Sequence, residues 1–292
     1  MDLYFGIKIF LACLVLWGVY RAWPTATEEE KVELKKKKET AGESIRSFLI
    51  AILIALVFRS IAFEPFHIPS GSMLSTLYEG DYIFVSKLSY GYSRYSFPFG
   101  FKFFDGRLFY TPPKRGDVVV FRLPPNPKID YIKRIIGLPG DKIQVRDGRL
   151  YINDAAVEVT RRDDIEVPDD AGQSRREIRY DETLPGGVTH TILADPAMRH
   201  FMLGRFDPNN TGVYEVPQGY YFMMGDNRDH SEDSRFSEAL MGDHMAPGLV
   251  PVENIIGRAD LILLSYDTDV PFWHIWEWPH AFRNDRWLKS IR

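Results

Sequence analysis

Two apolar runs lie close together at the start of the chain and divide it before any finer reading. Residues 3–20 (LYFGIKIFLACLVLWGVY) and 48–63 (FLIAILIALVFRSIAF) are long and apolar, whereas everything after Phe63 has the mixed pattern of a water-exposed domain. A helix crossing a bilayer core needs about 17–25 apolar residues. The first run meets that length, with Lys8 near enough to its end to snorkel. A cleaved leader is the alternative, but no small-x-small cleavage site precedes a mature domain, and Trp17, Tyr20 and Trp23 resemble an interfacial belt. The second run is shorter and contains Arg59, so it either spans with Arg59 snorkelling or enters a shallow buried pocket.

Charge orients these runs. Residues 21–47 are highly charged and include Lys35, Lys36, Lys37 and Lys38, and no Lys or Arg follows Phe63 until Lys87. The positive-inside rule puts the 21–47 loop in the cytoplasm and residues 64–292 on the far side; a merely solvated linker is compatible with the same orientation. The expected organisation is a transmembrane helix at 1–20, a cytoplasmic loop at 21–47, a second transmembrane helix at 48–63 and an exported catalytic-sized domain at 64–292. Segments at about 88–114 and 153–215 read as inserted into that domain. The formal charge of −4 carries no global basic signal for nucleic acid. Cys13 is the only cysteine, so no intramolecular disulfide forms, and it reads as a small apolar residue.

From residue 64 onward the pattern is β. Segments 81–85, 117–121, 142–145, 149–152 and 260–265 are short and rich in β-branched and aromatic residues. Turn signals separate them, and Asp147-Gly148 between two apolar strands predicts a two-residue hairpin. No long amphipathic helix follows Phe63, which argues against a doubly wound or α/β-hydrolase fold. The expectation is a mainly β, coiled antiparallel sheet or barrel-like domain. The aromatic stretch 90–110 alternates like one packed face of a hairpin, with a lipid-touching surface as the alternative. Residues 161–187 read as a polar, acidic surface excursion with several loops. The tryptophans and cations of 271–292 suit an interfacial anchor or a core-packing helix.

Three segments carry chemistry. In 66–77 (FHIPSGSMLSTL), Ser70-Gly71-Ser72 is a bendable turn that can present a hydroxyl; a serine needs a base to become a nucleophile. In 128–141 (KIDYIKRIIGLPGD), alternation puts Tyr131 and Lys133 on one strand face, with Ile132, Ile135 and Ile136 around the lysine. Burial lowers a lysine's pKa toward that of a general base, although a solvated edge lysine fits the same spacing. In 225–235 (GDNRDHSEDSR), Ser231 can orient an amine and Asp233 can pair with Arg235. A calcium loop competes here through Asp226, Asn227, Asp229, Glu232 and Asp233, but the alternating ligands and terminal glutamate of an EF-hand are missing.

Together these segments resemble bacterial type I signal peptidases, the leader peptidases. The resemblance rests on IPSGSM at 68–73, GDYIFVSKLSYG at 80–91, RGDVVVF at 115–121, DYIKRIIGLPGD at 130–141 and GDNRDHSEDSR at 225–235, in that order after two membrane runs. It implies a multi-pass protein of the bacterial inner membrane, with its catalytic domain outside the cytoplasm, that removes signal peptides after small residues at −3 and −1. Ser72 would be the nucleophile and Lys133 the general base. Ser70 would join the Ser72 N–H in an oxyanion hole, Ser231 would orient Lys133, and Asp233 and Arg235 would support the site. Pockets for small residues would draw on Phe66, Ile68, Met73, Leu77, Ile83, Val120, Tyr131 and Ile132. The implied partners are signal-peptide-bearing preproteins, the lipid bilayer and a neighbouring secretion translocon, with no nucleic acid, metal or other cofactor. Leu74-Ser75 departs from the family's more usual apolar-proline pair.

Other readings have specific weaknesses. His67 and His230 sit in no G-x-S-x-G context, and no serine has a lysine three residues later. Self-cleaving repressors share the Ser/Lys pair but carry a DNA-binding region instead of membrane runs. A membrane-tethered, non-catalytic β domain for assembly or peptide holding remains a rival from another class.

Overall fold

The computed structural model describes residues 17, 46–54, 63–96, 106–168, 174–198, 206–237, 246–267, 270 and 278–291. Two compact units emerge, Met1–Ala62 and Phe63–Arg292. In the first, residues 46–54 are helical, and Phe48, Leu49, Ile50, Leu53 and Ile54 are all exposed. Among the described residues no helix is long and apolar enough to cross a membrane. The expected span at 1–20, apart from Trp17, lies outside the described residues, as do residues 55–62 of the second expected span.

The second unit is mainly β. Its strands are β1 (Phe63–His67), β2 (Asp81–Ser86), β3 (Val118–Arg122), β4 (Asp130–Gly137), β5 (Lys142–Arg146), β6 (Arg149–Ile152), β7 (Ala155–Ala156) and β8 (Glu158–Pro168). They continue with β9 (Ser174–Thr183), β10 (Thr189–Ala194), β11 (Tyr214–Glu215), β12 (Tyr220–Met224), β13 (Val250–Pro251), β14 (Ile255–Ser265) and β15 (Lys289–Ser290). The largest sheet runs β1-β2-β14-β3-β4-β12-β13, with β15 added on β14. A second sheet is β10-β9-β8 and a third β11-β5-β6-β7.

The burial of side chains explains why β3 and β4 sit centrally. Val118 and Val120 face a core with Ile68, Met73, Leu77, Ile83 and Ile132, while Val119 and Phe121 face another with Tyr90, Ile135, Tyr221 and Ile255. A strand buried on both faces reads as a continuous apolar run, which is what VVVF is. The third sheet has one buried face, so Ile143, Val145, Leu150 and Ile152 alternate with polar residues and pack on Phe222 and Met224. Asp147 and Gly148 both have positive φ (48° and 74°) between paired Arg146 and Arg149, the two-residue hairpin that the sequence predicts.

One segment differs from its reading in the sequence. Residues 161–187 are not a looped excursion: they lie largely in the long hairpin of β8 and β9 and the turn into β10. Their charges pair across the strands, Arg176 with Asp164, Arg179 with Asp163 and Arg162 with Asp181, so a polar composition is compatible with regular sheet here. In the aromatic stretch, residues 97–105 lie outside the described residues; Tyr90 is buried, whereas Phe109 is 84% exposed. The fold brings three places together: the turn after β1, the middle of β4 and the loop after β12.

Candidate active site

Ser72 sits in a single 3-10 turn, Gly71–Met73, which leaves β1 and is held by bonds from Leu74 N to Gly71 O and Leu77 N to Met73 O. It is 9% exposed. Lys133 projects from β4, is 4% exposed, and its Nζ is hydrogen-bonded to Ser72 Oγ at 2.6 Å. Removal from water is the main cause that lowers the Lys133 amine to about 8; Asp233, Glu232 and Asp226 oppose the shift and Arg235 adds to it. The Tyr131 ring lies on the same strand face, 5.3 Å from Nζ, and its hydroxyl reaches Glu232 Oε2 at 3.3 Å.

The loop after β12 clamps the Ser72 turn. Asn227 N donates to Ser72 O at 3.2 Å and Asn227 Nδ2 to Gly71 O at 3.1 Å. Gly225 has no room for a side chain: a Cβ there would lie 2.2 Å from Ser231 Oγ and 2.5 Å from Ser72 O. Asp233 accepts from Gly225 N at 3.1 Å and from Arg235 Nε and Nη2 at 2.8 Å each. Burial works against the Asp233 carboxylate, and Arg235 beside it more than compensates, holding its pKa below the ordinary range. Ser231 is buried beside Gly225, and its Oγ has no hydrogen-bond partner among the described residues. Ser70 is exposed and its side chain makes no capping bond.

Beneath the turn lies a second buried pair that sequence reasoning missed. Arg134 Nε and Nη2 reach Asp226 Oδ1 and Oδ2 at 2.8 and 2.7 Å, and Thr76 Oγ1 donates to Asp226 Oδ2 at 2.5 Å. Burial opposes ionised Asp226, but Arg134 and the Thr76 bond hold it below the usual carboxylate range. Arg228 forks onto Glu182 of β9 in the same way. A signal for these pairs exists, since Arg134 alternates with Lys133 and GDNRD is dense in charge, but no sequence spacing says which arginine meets which carboxylate. The same contacts weaken the calcium-loop reading. Asp226 and Asp233 face arginines, and Asp229 accepts from Asp195 N and Asn209 Nδ2 at 2.8 and 2.9 Å.

The eight expected pocket residues divide between two apolar clusters. Ile68, Met73, Leu77, Ile83, Val120 and Ile132 form one buried cluster, at most 8% exposed, with Phe66 packed against it. They wall the site from within because both β3 and the turn after Ser72 fold their apolar side chains inward. Tyr131 packs on the other cluster with Phe121, at 6.1 Å between rings. His230 Nε2 pairs with Asp195 Oδ2 at 3.0 Å, and the His67 ring lies against Tyr82, so Ser72 has a lysine rather than a histidine as its hydrogen-bond partner.

The sequence also matches known proteins. Residues 41–264 match the family described as "Signal peptidase, peptidase S26". Signal peptidase I of Rickettsia typhi is 44% identical over 267 residues, 88% of this chain and 93% of that protein. Signal peptidase I of Rickettsia canadensis is 42% identical over 264 residues, 87% of this chain and 91% of that protein. A crystal structure of a signal peptidase I from Enterococcus faecalis aligns with 51% of this chain and 97% of its own, at 24% identity and a TM-score of 0.26, too loose an overlap to bear on the fold. By the extent of the family match and the identity of its relatives, the chain belongs to the signal peptidase family, peptidase S26.

Proposed function

We propose that this protein is a membrane-bound serine endopeptidase that removes N-terminal signal peptides from exported preproteins. The single observation that carries the reading is the buried 2.6 Å contact between Lys133 Nζ and Ser72 Oγ. In the proposed reaction the neutral Lys133 amine takes the Ser72 proton as Oγ attacks the scissile carbonyl carbon. The carbonyl electron pair moves to oxygen, where the Ser72 N–H and Ser70 hydroxyl stabilise it. Lys133 then gives its proton to the departing amine as the C–N bond breaks. Water, deprotonated by Lys133, releases the signal peptide and restores Ser72. Ser231 serves the Lys133 amine, and the Asp233–Arg235 pair fixes the loop that carries it. Phe66, Ile132 and Tyr131 edge the small-residue subsites, over the floor of Ile68, Met73, Leu77, Ile83 and Val120.

The membrane reading rests on the two apolar runs and the lysine block between them. The exposed apolar residues of the 46–54 helix support it, because a helix apolar on every side finds no stable place in water. With Ser72 nine residues after Phe63, the chain itself keeps the nucleophile near the bilayer from which a signal peptide emerges. The test is cleavage of a preprotein by the full chain in detergent. Ser72→Ala and Lys133→Ala are each expected to lower kcat by at least about a thousandfold. Normal cleavage by either variant overturns the Ser/Lys assignment, and normal processing by both in cells favours a tethered, non-catalytic domain.

A further inference from the structure

The residues just after the nucleophile contain a serine in a conformation that serines rarely adopt. Thr76 N donates to Met73 O at 3.1 Å, Leu74 lies at φ −56° and ψ 146°, and Ser75 has φ 87°. This is the form of a type II turn, whose third position ordinarily takes glycine or asparagine because other side chains are strained there. A proline, with φ locked near −65°, cannot occupy it. Ser75 therefore has to be held, and its Oγ donates to the carbonyl of Thr191, in β10, at 2.7 Å.

The choice of β10 as the anchor matters. Leu193, two residues further along the strand, donates from N to Asp226 O and accepts at its own O from Arg228 N, both at 2.9 Å. The same strand thus carries the 225–235 loop, and that loop returns to the nucleophile turn through Asn227 N and Ser72 O. Ser75 closes this circuit from the other side. Next to it, Thr76 bonds Asp226, so two consecutive hydroxyls leave the turn for two different anchors.

We propose that Ser75 is a positioning residue: its hydroxyl latches the nucleophile turn onto β10 and thereby holds Ser72 at its working distance from Lys133. The proposal rests on the Ser72 and Lys133 roles given above. Ser72 sits in one short 3-10 turn with little regular structure of its own, and displacement of a reacting group by about 1 Å can cost on the order of a hundredfold in rate. Loss of one neutral hydrogen bond should displace it less often than that, giving a five- to tenfold effect, on the order of one such bond.

The test compares Ser75→Gly, which keeps the positive φ without the hydroxyl, with Ser75→Ala, which keeps the strain and loses the bond. Preprotein cleavage, melting temperature and the pH profile are measured for both, with Ser72→Ala as control. The expected result is kcat about five- to tenfold lower in both variants, with KM and the midpoint of the pH profile unchanged. Ser75→Gly should melt at or above the temperature of Ser75→Ala while being no more active. Wild-type kcat in either variant with Ser72→Ala inactive overturns the latch alone. A loss of kcat that follows the melting temperature also overturns it, by reducing Ser75 to a stability role. Cleavage by Ser72→Ala overturns the nucleophile assignment and the latch with it.

Discussion

Lys133, buried on β4 and bonded to Ser72, is where the sequence and the chemistry meet most directly. Its environment lowers the amine to about 8, mainly through loss of water, so the neutral form that the proposed reaction requires accumulates as pH rises through that value. We predict that kcat/KM for preprotein cleavage climbs with unit slope below about pH 8 and levels off above it; a profile flat from pH 6 to 9 would exclude a lysine base. The same shift has a stability sign. Between about pH 8 and the ordinary 10.5 the unfolded chain holds the extra proton, so stability rises with pH across that window, and at neutral pH the buried ammonium weakens the fold. Lys133→Met should therefore raise unfolding free energy at pH 7 by roughly 2–3 kcal/mol, with the gain gone near pH 10.5. Urea titrations at both pH values check this, and an equal effect at each would show that the lysine is not penalised. Ser231 offers the complementary case. Its buried Oγ has no hydrogen-bond partner among the described residues, so Ser231→Ala should leave stability unchanged or raise it by about 1 kcal/mol, while lowering kcat if the hydroxyl serves Lys133. Strand alternation and the surrounding isoleucines made burial of Lys133 plausible in the sequence, and the structure buries it. Arg134 beside it was unreadable as a buried ion because its partner, Asp226, lies 92 positions away.

The elements around the site are held by buried ion pairs that join distant parts of the chain. The C-terminal segment is the clearest example. Arg286 lies between Asp81 at the start of β2, with Nη2 to Oδ2 at 2.6 Å, and the Thr76 carbonyl at 3.0 Å, and its guanidinium stacks on Tyr78 at 3.9 Å. Arg283 adds a bond to Glu79 O at 2.8 Å, and Ile291 packs on the core beside the Ser72 turn. The tryptophan- and cation-rich composition of this segment suggested either a membrane anchor or a packed helix. Among its described residues the arginines fasten the loop between Ser72 and β2, and the helices are short, the four-residue Trp278–Ala281 and the 3-10 turn Asn284–Arg286; Trp273 and Trp276 lie outside the described residues. Composition could not distinguish these outcomes, because an arginine in a core and one at an interface look alike until the carboxylate is located. Removing one member of a buried pair strands the other. Arg286→Met should accordingly cost about 3–5 kcal/mol, and the double variant Arg286→Met, Asp81→Asn should recover part of that. If the single variant denatures at the wild-type urea concentration, the strap does not hold the loop. The strands were far easier to read than these ties. Alternation marks β5 and β6, and the Asp147-Gly148 turn sets their register within a few residues, whereas β14 pairs with β2 across more than 170 positions.

At the scale of the whole molecule, the sheet of β8, β9 and β10 and the site share a buried set of charges with an acid-side consequence. His190 on β10 is 4% exposed; its Nε2 lies 3.4 Å from Glu182 and 3.7 Å from Asp226, each already paired with an arginine. Burial above all, then Arg134 and Arg228, lowers the imidazole to about 4, while the two carboxylates oppose the shift. In the unfolded chain it titrates near 6.5, so between about pH 6.5 and 4 the unfolded state binds a proton that the folded state refuses. Stability must then fall as pH drops through that window, by roughly 2 kcal/mol from this group alone between pH 7 and 5. Glu182, Asp226 and Asp233 act lower on the scale. Burial opposes their ionisation but their arginines hold them below the ordinary range, so their contribution is present above about pH 4 and is lost below it. His67 is also lowered, by burial against the pull of Asp81, and adds a slope of the same sign. We predict that His190→Asn, which keeps a polar side chain but does not titrate, loses the His190 share of the decline: the fall in unfolding free energy between pH 7 and 5 should shrink by roughly 2 kcal/mol relative to wild type. A wild-type slope in the variant would mean that His190 takes up its proton in the folded protein, and the charge set joining β10 to the loop after β12 would have to open in acid before the fold itself does.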